Sequence, residues 1–342
     1  MRLAVRFVRP VLCLLPLTLA ACASGGKSDE DNFPQPAVCD GVPPSAPATQ
    51  LISVRGHALA VAEAGDPAGF PVFYAHGNPG SRLELALLDA DARRHGYRLI
   101  SFDRPGIGQS PYLAPYSLKD FADDTAALAD LKGLARFGLI GWSSGGPPVL
   151  AVSNYCPQRV AFTFSIAGYT DFSRFPDARQ FMADHGLPGS KMAEKRPLLF
   201  DLTIWGVRRA DLHRPDFYLR TAREELPAFD KQQLEAPAHA CLFMRTQQEG
   251  LRQGSDGAVQ DLKVQWQAWD YDMTKLAAPV EVVQGQADPF VPYQFGQHLA
   301  ANLPNATPHL LPEKGHLLPF SAEFREWLFG RADSLRGKTP GK

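Results

Sequence analysis

The sequence predicts an α/β protein: a mostly parallel, eight-stranded sheet with helices on both faces and a mainly helical insertion. Two observations predict it. Short β-rich runs alternate with segments of helical spacing along most of the chain, and the alternation breaks at about residue 171 and resumes after about residue 275. The length of 342 residues, 45% of them hydrophobic, supplies a large core, as one domain with an insertion.

The folded part begins near Leu51. LISVRG and HALAVAEAG read as two strands joined by a turn at Arg55-Gly56, and PVFYAHG as a third that ends in a glycine-rich loop. Ser81 to His95 has helical spacing and stops at Gly96. YRLISFD is the fourth strand. Ser117 is placed to cap a helix through Leu131, with Asp120 favouring its positive end. RFGLIGWS is the fifth strand, followed by a helix opening with Gly145-Gly146-Pro147-Pro148; proline suits a helix start because the first amides lack intrahelical partners. AFTFSIAG is the sixth. After the insertion come the strand PVEVVQG, a helix from Tyr293 to Leu303, the strand TPHLLPEKG and an amphipathic C-terminal helix. The domain is expected to span 51–331, with a tail over 332–342.

Thirty-five basic against 36 acidic side chains give a net charge of −1, without the basic excess that a nucleic-acid partner demands. The charge is uneven. Arg2, Arg6 and Arg9 precede the apolar run Pro10 to Ala21, the pattern of an export signal, and the run is shorter than the roughly 20 apolar residues a bilayer span needs. Removal of 1–21 would take those three arginines, leaving 32 basic against 36 acidic side chains. Leu19-Ala20-Ala21-Cys22 resembles the bacterial lipobox, which implies lipidation of Cys22 and a membrane as partner through that anchor. The Ser-, Gly- and Pro-rich stretch 22–50 reads as a flexible tether. Ala23, in place of aspartate, favours the outer membrane of a Gram-negative cell envelope.

Cys13 leaves with the leader and Cys22 would carry lipid, so Cys39, Cys156 and Cys241 remain in a compartment where disulfides persist. Three thiols allow at most one internal bridge; Cys156 with Cys241 is a candidate, both lying in the folded part, and the pairing among the three stays open in the sequence. No Cys/His spacing resembles a zinc site, and neither metal nor cofactor is expected. Oligomeric state stays open.

Gly141-Trp142-Ser143-Ser144-Gly145 has the form G-x-S-x-G at a strand-to-helix junction. A nucleophile at the apex of so tight a turn needs glycine two residues to either side, where strand and helix meet, and the helix start favours negative charge nearby. Ser144 is the alternative nucleophile; the glycine spacing selects Ser143. Three further segments fall at strand ends: His76-Gly77-Asn78-Pro79-Gly80, Gly285-Gln286-Ala287-Asp288-Pro289 and Lys314-Gly315-His316.

With Phe102-Asp103-Arg104-Pro105-Gly106-Ile107-Gly108-Gln109-Ser110, similar to the loop D-x-R-G-x-G-x-S, these segments resemble the α/β-hydrolase superfamily over about 50–331. The resemblance implies the α/β-hydrolase fold with a helical cap at 171–275. It implies a triad of Ser143, Asp288 and His316 in the chain order of that fold, and an oxyanion hole from the amides of Asn78 and Ser144. Asp171, after the sixth strand, is the alternative acid. His76 is expected to order its loop, Asp103 to tie down its turn, and His57, His185 and His239 to be surface or packing residues. The aromatic residues of the insertion, Phe175, Phe181, Phe200, Trp205, Phe217, Tyr218, Phe243, Trp266, Trp269 and Tyr271, are expected mostly to form the cap's own core, a few lining a pocket.

Within that superfamily, epoxide hydrolases and haloalkane dehalogenases attack with aspartate where this chain has Ser143. Proline iminopeptidases carry H-G-G-P-G, D-Q-R-G and G-G-S-W-G, matched here only in part by HGNPG, DRPG and GWSSG. An aminopeptidase also needs cap carboxylates for the substrate amine, for which Glu194, Glu224, Glu225 and Glu249 are present. The expected activity is therefore hydrolysis of a carboxylic ester or related small-molecule acyl substrate. The alternatives are a proline-iminopeptidase-like aminopeptidase and, in another class, a catalytically silent envelope binding protein. An intact triad argues against the last.

Overall fold

The computed structural model describes residues 33–43 and 47–337. The expected leader at 1–21 and the lipidation residue Cys22 lie outside the described residues.

All eight strands form one sheet: β1 (Thr49–Val54), β2 (His57–Gly65), β3 (Phe70–Ala75), β4 (Tyr97–Phe102), β5 (Phe137–Trp142), β6 (Val160–Ile166), β7 (Val280–Gly285) and β8 (Ala306–Leu311). Their order is β1-β2-β4-β3-β5-β6-β7-β8. β2 runs antiparallel to both neighbours and every pair from β4 onward is parallel. Between and after them lie α1 (Leu85–Arg94), α2 (Leu118–Leu131), α3 (Gly146–Tyr155), the cap helices α4 (Ala178–Asp184), α5 (Gly189–Lys195), α6 (Pro197–His213), α7 (Pro215–Glu225), α8 (Ala228–Gln233), α9 (Pro237–Gly250) and α10 (Asp256–Gln265), then α11 (Tyr293–Asn302) and α12 (Ala322–Arg336). The last helix thus extends beyond the expected edge at 331. Residues 178–265 bear out a helical insertion.

The period of two along each strand sorts side chains between two cores. In β3, Val72 and Tyr74 join the core under α1 and α12, while Phe73 and Ala75 join the core under α2 and α3. Both faces are covered, which is why the central strands read as continuous apolar runs. Ser117 caps α2 in a reciprocal box with Asp120: its hydroxyl accepts from the Asp120 amide at 3.1 Å, and its own amide donates to Asp120 Oδ2 at 3.0 Å. The cap has its own aromatic core, with Tyr169, Phe172, Phe200 and Trp266 buried and Phe175 and Phe181 packed against it. Trp269 and Tyr271, expected in the cap, instead belong to the main core beside α3, because the chain has already left the cap at Gln265.

The cysteine pairing differs from the expectation. Cys241 on α9 bonds Cys39, and Cys156, at the end of α3, is the free thiol among the described residues. Cys39 had been assigned to the tether, but 33–43 lies on the cap: the Ala37 amide donates to Asp216 Oδ1 at 2.8 Å, Gln248 Nε2 to the Pro34 carbonyl at 3.4 Å, and the Arg245 guanidinium to the carbonyls of Val42 and Pro43. Burial pushes the half-buried Cys156 thiol up, away from the reactive thiolate. The bridge closes a sequence separation of 202 residues, which chain-entropy reasoning values at up to about 5 kcal/mol. Reductant therefore lowers the melting temperature of the wild type and of Cys156→Ser, and leaves that of the Cys39→Ser/Cys241→Ser variant unchanged. A melting temperature insensitive to reductant in all three would refute the pairing.

Candidate active site

Ser143 sits in the turn between β5 and α3 at φ +56°, a backbone conformation that an L-residue adopts only when its surroundings hold it there. The two flanking glycines explain how. A Cβ on Gly141 would lie 2.2 Å from the Gly145 carbonyl oxygen, and a Cβ on Gly145 would lie 1.9 Å from that of Ala75. Strand and helix meet too closely for any side chain, and the turn carries Ser143 at its apex, almost buried. The Ser144 hydroxyl is buried without a hydrogen-bond partner.

The His76–Gly80 loop lies against this turn: a Cβ on Gly77 would be 3.5 Å from Ser143 Cβ. Three groups hold the loop. His76 is fully buried, and its Nε2 accepts the Arg104 amide at 3.4 Å, so Nδ1 carries the proton shared with the Gly77 carbonyl at 2.8 Å. Burial and the neighbouring Arg104 charge hold the His76 pKa well below the usual imidazole range; it is a neutral strut, as expected. The Gly77 amide donates to the Glu84 carboxyl at 3.2 and 3.3 Å, which also accepts from the Tyr74 hydroxyl at 2.8 Å. Burial pushes Glu84 up to about 7 against the pull of those donors. The Arg104 guanidinium donates to the carbonyls of His76 and Gly77 and grips both oxygens of Asp261 on cap helix α10, at 2.7 and 2.9 Å. Asn78 Nδ2 reaches the same Asp261 at 2.7 Å and the Ala258 carbonyl at 3.1 Å. The loop is thereby tied to the cap.

Asp103 behaves as expected of a turn anchor: its oxygens accept the amides of Arg82 at 2.7 Å and Gln109 at 3.0 Å, and it pairs with the Arg82 guanidinium.

Asp288 and His316 come together. Asp288 follows β7, and its Oδ2 takes His316 Nδ1 at 2.7 Å and Gln284 Nε2 at 3.0 Å, while Oδ1 accepts the amides of Phe290 and Val291 at 2.8 and 2.9 Å. Every lone pair is directed, so the carboxylate is fixed. Asp171 is also buried, but its Oδ1 is taken by the amide and hydroxyl of Ser173 at 2.8 and 2.7 Å, the local turn that a carboxylate at the start of a cap favours. His316 lies beside the serine turn: Trp142 Nε1 donates to its carbonyl at 3.0 Å, with the two rings 5.5 Å apart. Burial alone would lower the His316 pKa; Asp288, Asp230 and Glu84 overcome it, and the pKa is raised. With Nδ1 committed to Asp288, Nε2 is the nitrogen left for proton transfer.

Sequence reasoning missed Glu84, Asp230 and Asp261. Asp230, on α8, accepts the amides of His316 and Leu317 at 2.8 and 2.9 Å. Of the two roles expected for His239, surface or packing, the structure shows packing: its ring lies edge-on to Phe320.

A buried serine at a strained strand-to-helix turn, beside a carboxylate–imidazole pair on an eight-stranded mixed sheet, defines a class. The chain belongs to the alpha/beta hydrolase fold family, whose sequence profile matches residues 71–323. It is an enzyme of that family. It is 28% identical over 229 residues to the 2-hydroxy-6-oxononadienedioate/2-hydroxy-6-oxononatrienedioate hydrolase of Burkholderia vietnamiensis, covering 65% of this chain and 70% of that protein. It is 25% identical over 245 residues to the pimeloyl-[acyl-carrier protein] methyl ester esterase of Neisseria meningitidis, covering 69% of this chain and 70% of that protein. Among solved structures, a thermophilic esterase from Thermogutta terrifontis superposes with a TM-score of 0.60 at 20% identity, covering 86% of this chain and 100% of that one. That last likeness concerns the fold.

Proposed function

We propose that the protein is a serine hydrolase that cleaves a carboxylic ester or related acyl substrate through an acyl-enzyme intermediate. The observation that carries this reading is the 2.7 Å contact of His316 Nδ1 with a fully directed Asp288, beside the turn that holds Ser143 at φ +56°. Ser143 Oγ attacks the acyl carbon while its proton passes to His316 Nε2. The resulting oxyanion accepts the backbone amides of Asn78 and Ser144. His316 then gives the proton to the leaving alcohol, and the acyl group remains on Ser143. Water repeats the sequence with the roles of acid and base restored, releasing the carboxylic acid. Asp288 holds the imidazole tautomer and stabilises the imidazolium formed in each half. The esterase named among the relatives supports this choice of substrate class.

Two of the four cap carboxylates already have protein partners, which weakens the aminopeptidase reading. Glu249 is engaged by Arg82 at 2.7 Å and by Gln109 at 3.0 Å, and Glu194 lies half-exposed beside Arg179 and Lys195. The test is a fluorophosphonate probe followed by peptide mass spectrometry. The adduct is expected on the peptide bearing Ser143; a protein that hydrolyses esters yet carries the adduct elsewhere, or none, overturns the reading.

We further propose that residues 1–21 are removed, that Cys22 is lipidated, and that the enzyme stands on a bacterial envelope membrane. The Leu19-Ala20-Ala21-Cys22 pattern carries this, and a Cys39–Cys241 bridge suits an oxidising compartment. Mass spectrometry of membrane-fraction protein should find an N-terminal, lipid-modified Cys22. A mature chain beginning elsewhere, without lipid, rules the anchor out.

A further inference from the structure

We propose that Asp230, carried on the cap rather than on the sheet domain, is a positioning residue that holds His316 in register with Ser143 and Asp288. The inference rests on the triad reading above. Asp230 is fully buried, and its two oxygens divide the work: Oδ2 accepts the His316 amide at 2.8 Å and Oδ1 the Leu317 amide at 2.9 Å. A carboxylate bridging two successive amides makes two charge-assisted bonds and fixes the peptide plane between them. The neighbouring residue of the same helix grips the same loop, for Lys314 Nζ lies 4.5 Å above the Phe229 ring. Gly315 is required by this docking: a Cβ there would fall 2.2 Å from Asp230 Oδ2.

The backbone of His316 is therefore held from two sides. The cap takes its amide through Asp230, and the serine turn takes its carbonyl through Trp142 Nε1 at 3.0 Å. Its ring is held separately by Asp288. Loss of Asp230 leaves the ring anchored but frees the peptide that sets where the ring stands, and small misplacements of a catalytic group cost much rate. Asp230 also acts through its charge. The charged and titratable groups facing His316 are Asp288 from the loop after β7, Asp230 from α8 and Glu84 from the turn after β3; the Trp142 and Phe290 rings complete its surroundings. Three carboxyl groups favour the imidazolium, so removal of one makes His316 easier to deprotonate.

The test uses the full chain and a short p-nitrophenyl ester, with rates normalised to sites titrated by a fluorophosphonate. His316 works as a base only when neutral, and its pKa is raised, so wild-type kcat/KM should climb through an acid limb above the ordinary imidazole value of about 6.5. Asp230→Asn, nearly isosteric, should lower kcat per titrated site roughly tenfold to a hundredfold with KM little changed. It should also move the acid limb to lower pH. Asp230→Glu keeps the charge and should leave the limb at its wild-type position. A purely structural role would reduce the titratable fraction alone, so an unmoved limb with wild-type kcat per site in Asp230→Asn overturns the proposal. Should Asp230→Asn fail to fold, Asp230→Ser is compared with Asp230→Glu: a limb moved to lower pH in the serine variant alone supports the proposal, and limbs at one position in both overturn it. Absence of labelling at Ser143 in the wild type overturns the functional reading and this inference together; labelling at Ser143 with an unmoved limb and wild-type kcat per site in Asp230→Asn overturns this inference alone.

Discussion

Ser143→Ala should lower turnover of a short activated ester by roughly 10⁴- to 10⁶-fold, the range seen when the nucleophile of a triad is removed. Alanine keeps the backbone free to hold its positive φ to the same degree as any other L-residue, and the Gly141–Gly145 contact that enforces the turn is untouched. The variant therefore loses the hydroxyl and little else, which makes it a clean test. Ser144→Ala is the matched control. Its hydroxyl is buried and unpartnered, and its proposed contribution is a backbone amide, which alanine retains. Activity should persist there within a few-fold. Turnover by Ser143→Ala at the wild-type rate, or its collapse in Ser144→Ala with matched circular dichroism, would move the nucleophile by one residue and refute the spacing argument.

The frame of this site was legible in the sequence because its parts carry local signals. All eight strands overlap the short runs read as strands between turn residues, and the turn at Ser143 is announced by two glycines whose Cβ atoms would strike backbone. The pairing of Asp288 with His316 was readable from order along the chain, since each follows a strand at the same edge of the sheet. What tightens the site was not readable. Asp230 lies 86 residues before His316, and Asp261 lies 157 residues after Arg104, each on a helix where an isolated carboxylate reads as a solvated one. Nothing local distinguishes them; only the packing of the cap onto the strand ends brings them to their partners. The same reason hid Cys39, whose surroundings are rich in Pro and Gly and suggest a tether, while its partner on α9 is remote in sequence.

The cap is accordingly more than a roof over the site. It fastens the His76–Gly80 loop through Asp261, Arg104 and Asn78, and the His316 loop through Asp230, while the sheet supplies the Ser143 turn and the Asp288 loop. Asp230 is fully buried and the Arg104–Asp261 pair is largely shielded from water, where removal of one partner is costly because the other is left without compensation. The groups of the candidate site therefore depend on the cap and the sheet meeting in one register.

Asp288→Asn should reduce turnover at least about a hundredfold, and Asp171→Asn less than tenfold. The two residues look alike in sequence, each following a sheet strand; Asp171 is buried, and the side chain of Asp288 is shielded from solvent although its backbone is not. Their partners separate them. Asp288 Oδ2 accepts the proton on His316 Nδ1 at 2.7 Å, so an amide in its place presents either a weaker neutral acceptor or, turned about, an N–H that demands the other tautomer. In that tautomer Nε2 carries the proton and cannot take one from Ser143. Both Asp288 oxygens are taken by protein donors, so KM should change little while kcat falls. Asp171 instead spends Oδ1 on the amide and hydroxyl of Ser173 and lies 3.9 Å from the Arg174 guanidinium, a local turn at the mouth of the cap. Its amide variant loses one charge-assisted contact, so stability should suffer more than rate. The measurement is kcat and KM for both variants, purified, folded and normalised to titrated sites. If Asp171→Asn proves the crippled enzyme and Asp288→Asn stays active, the acid belongs to the sixth strand, and the 2.7 Å contact between Asp288 and His316 is structural rather than catalytic.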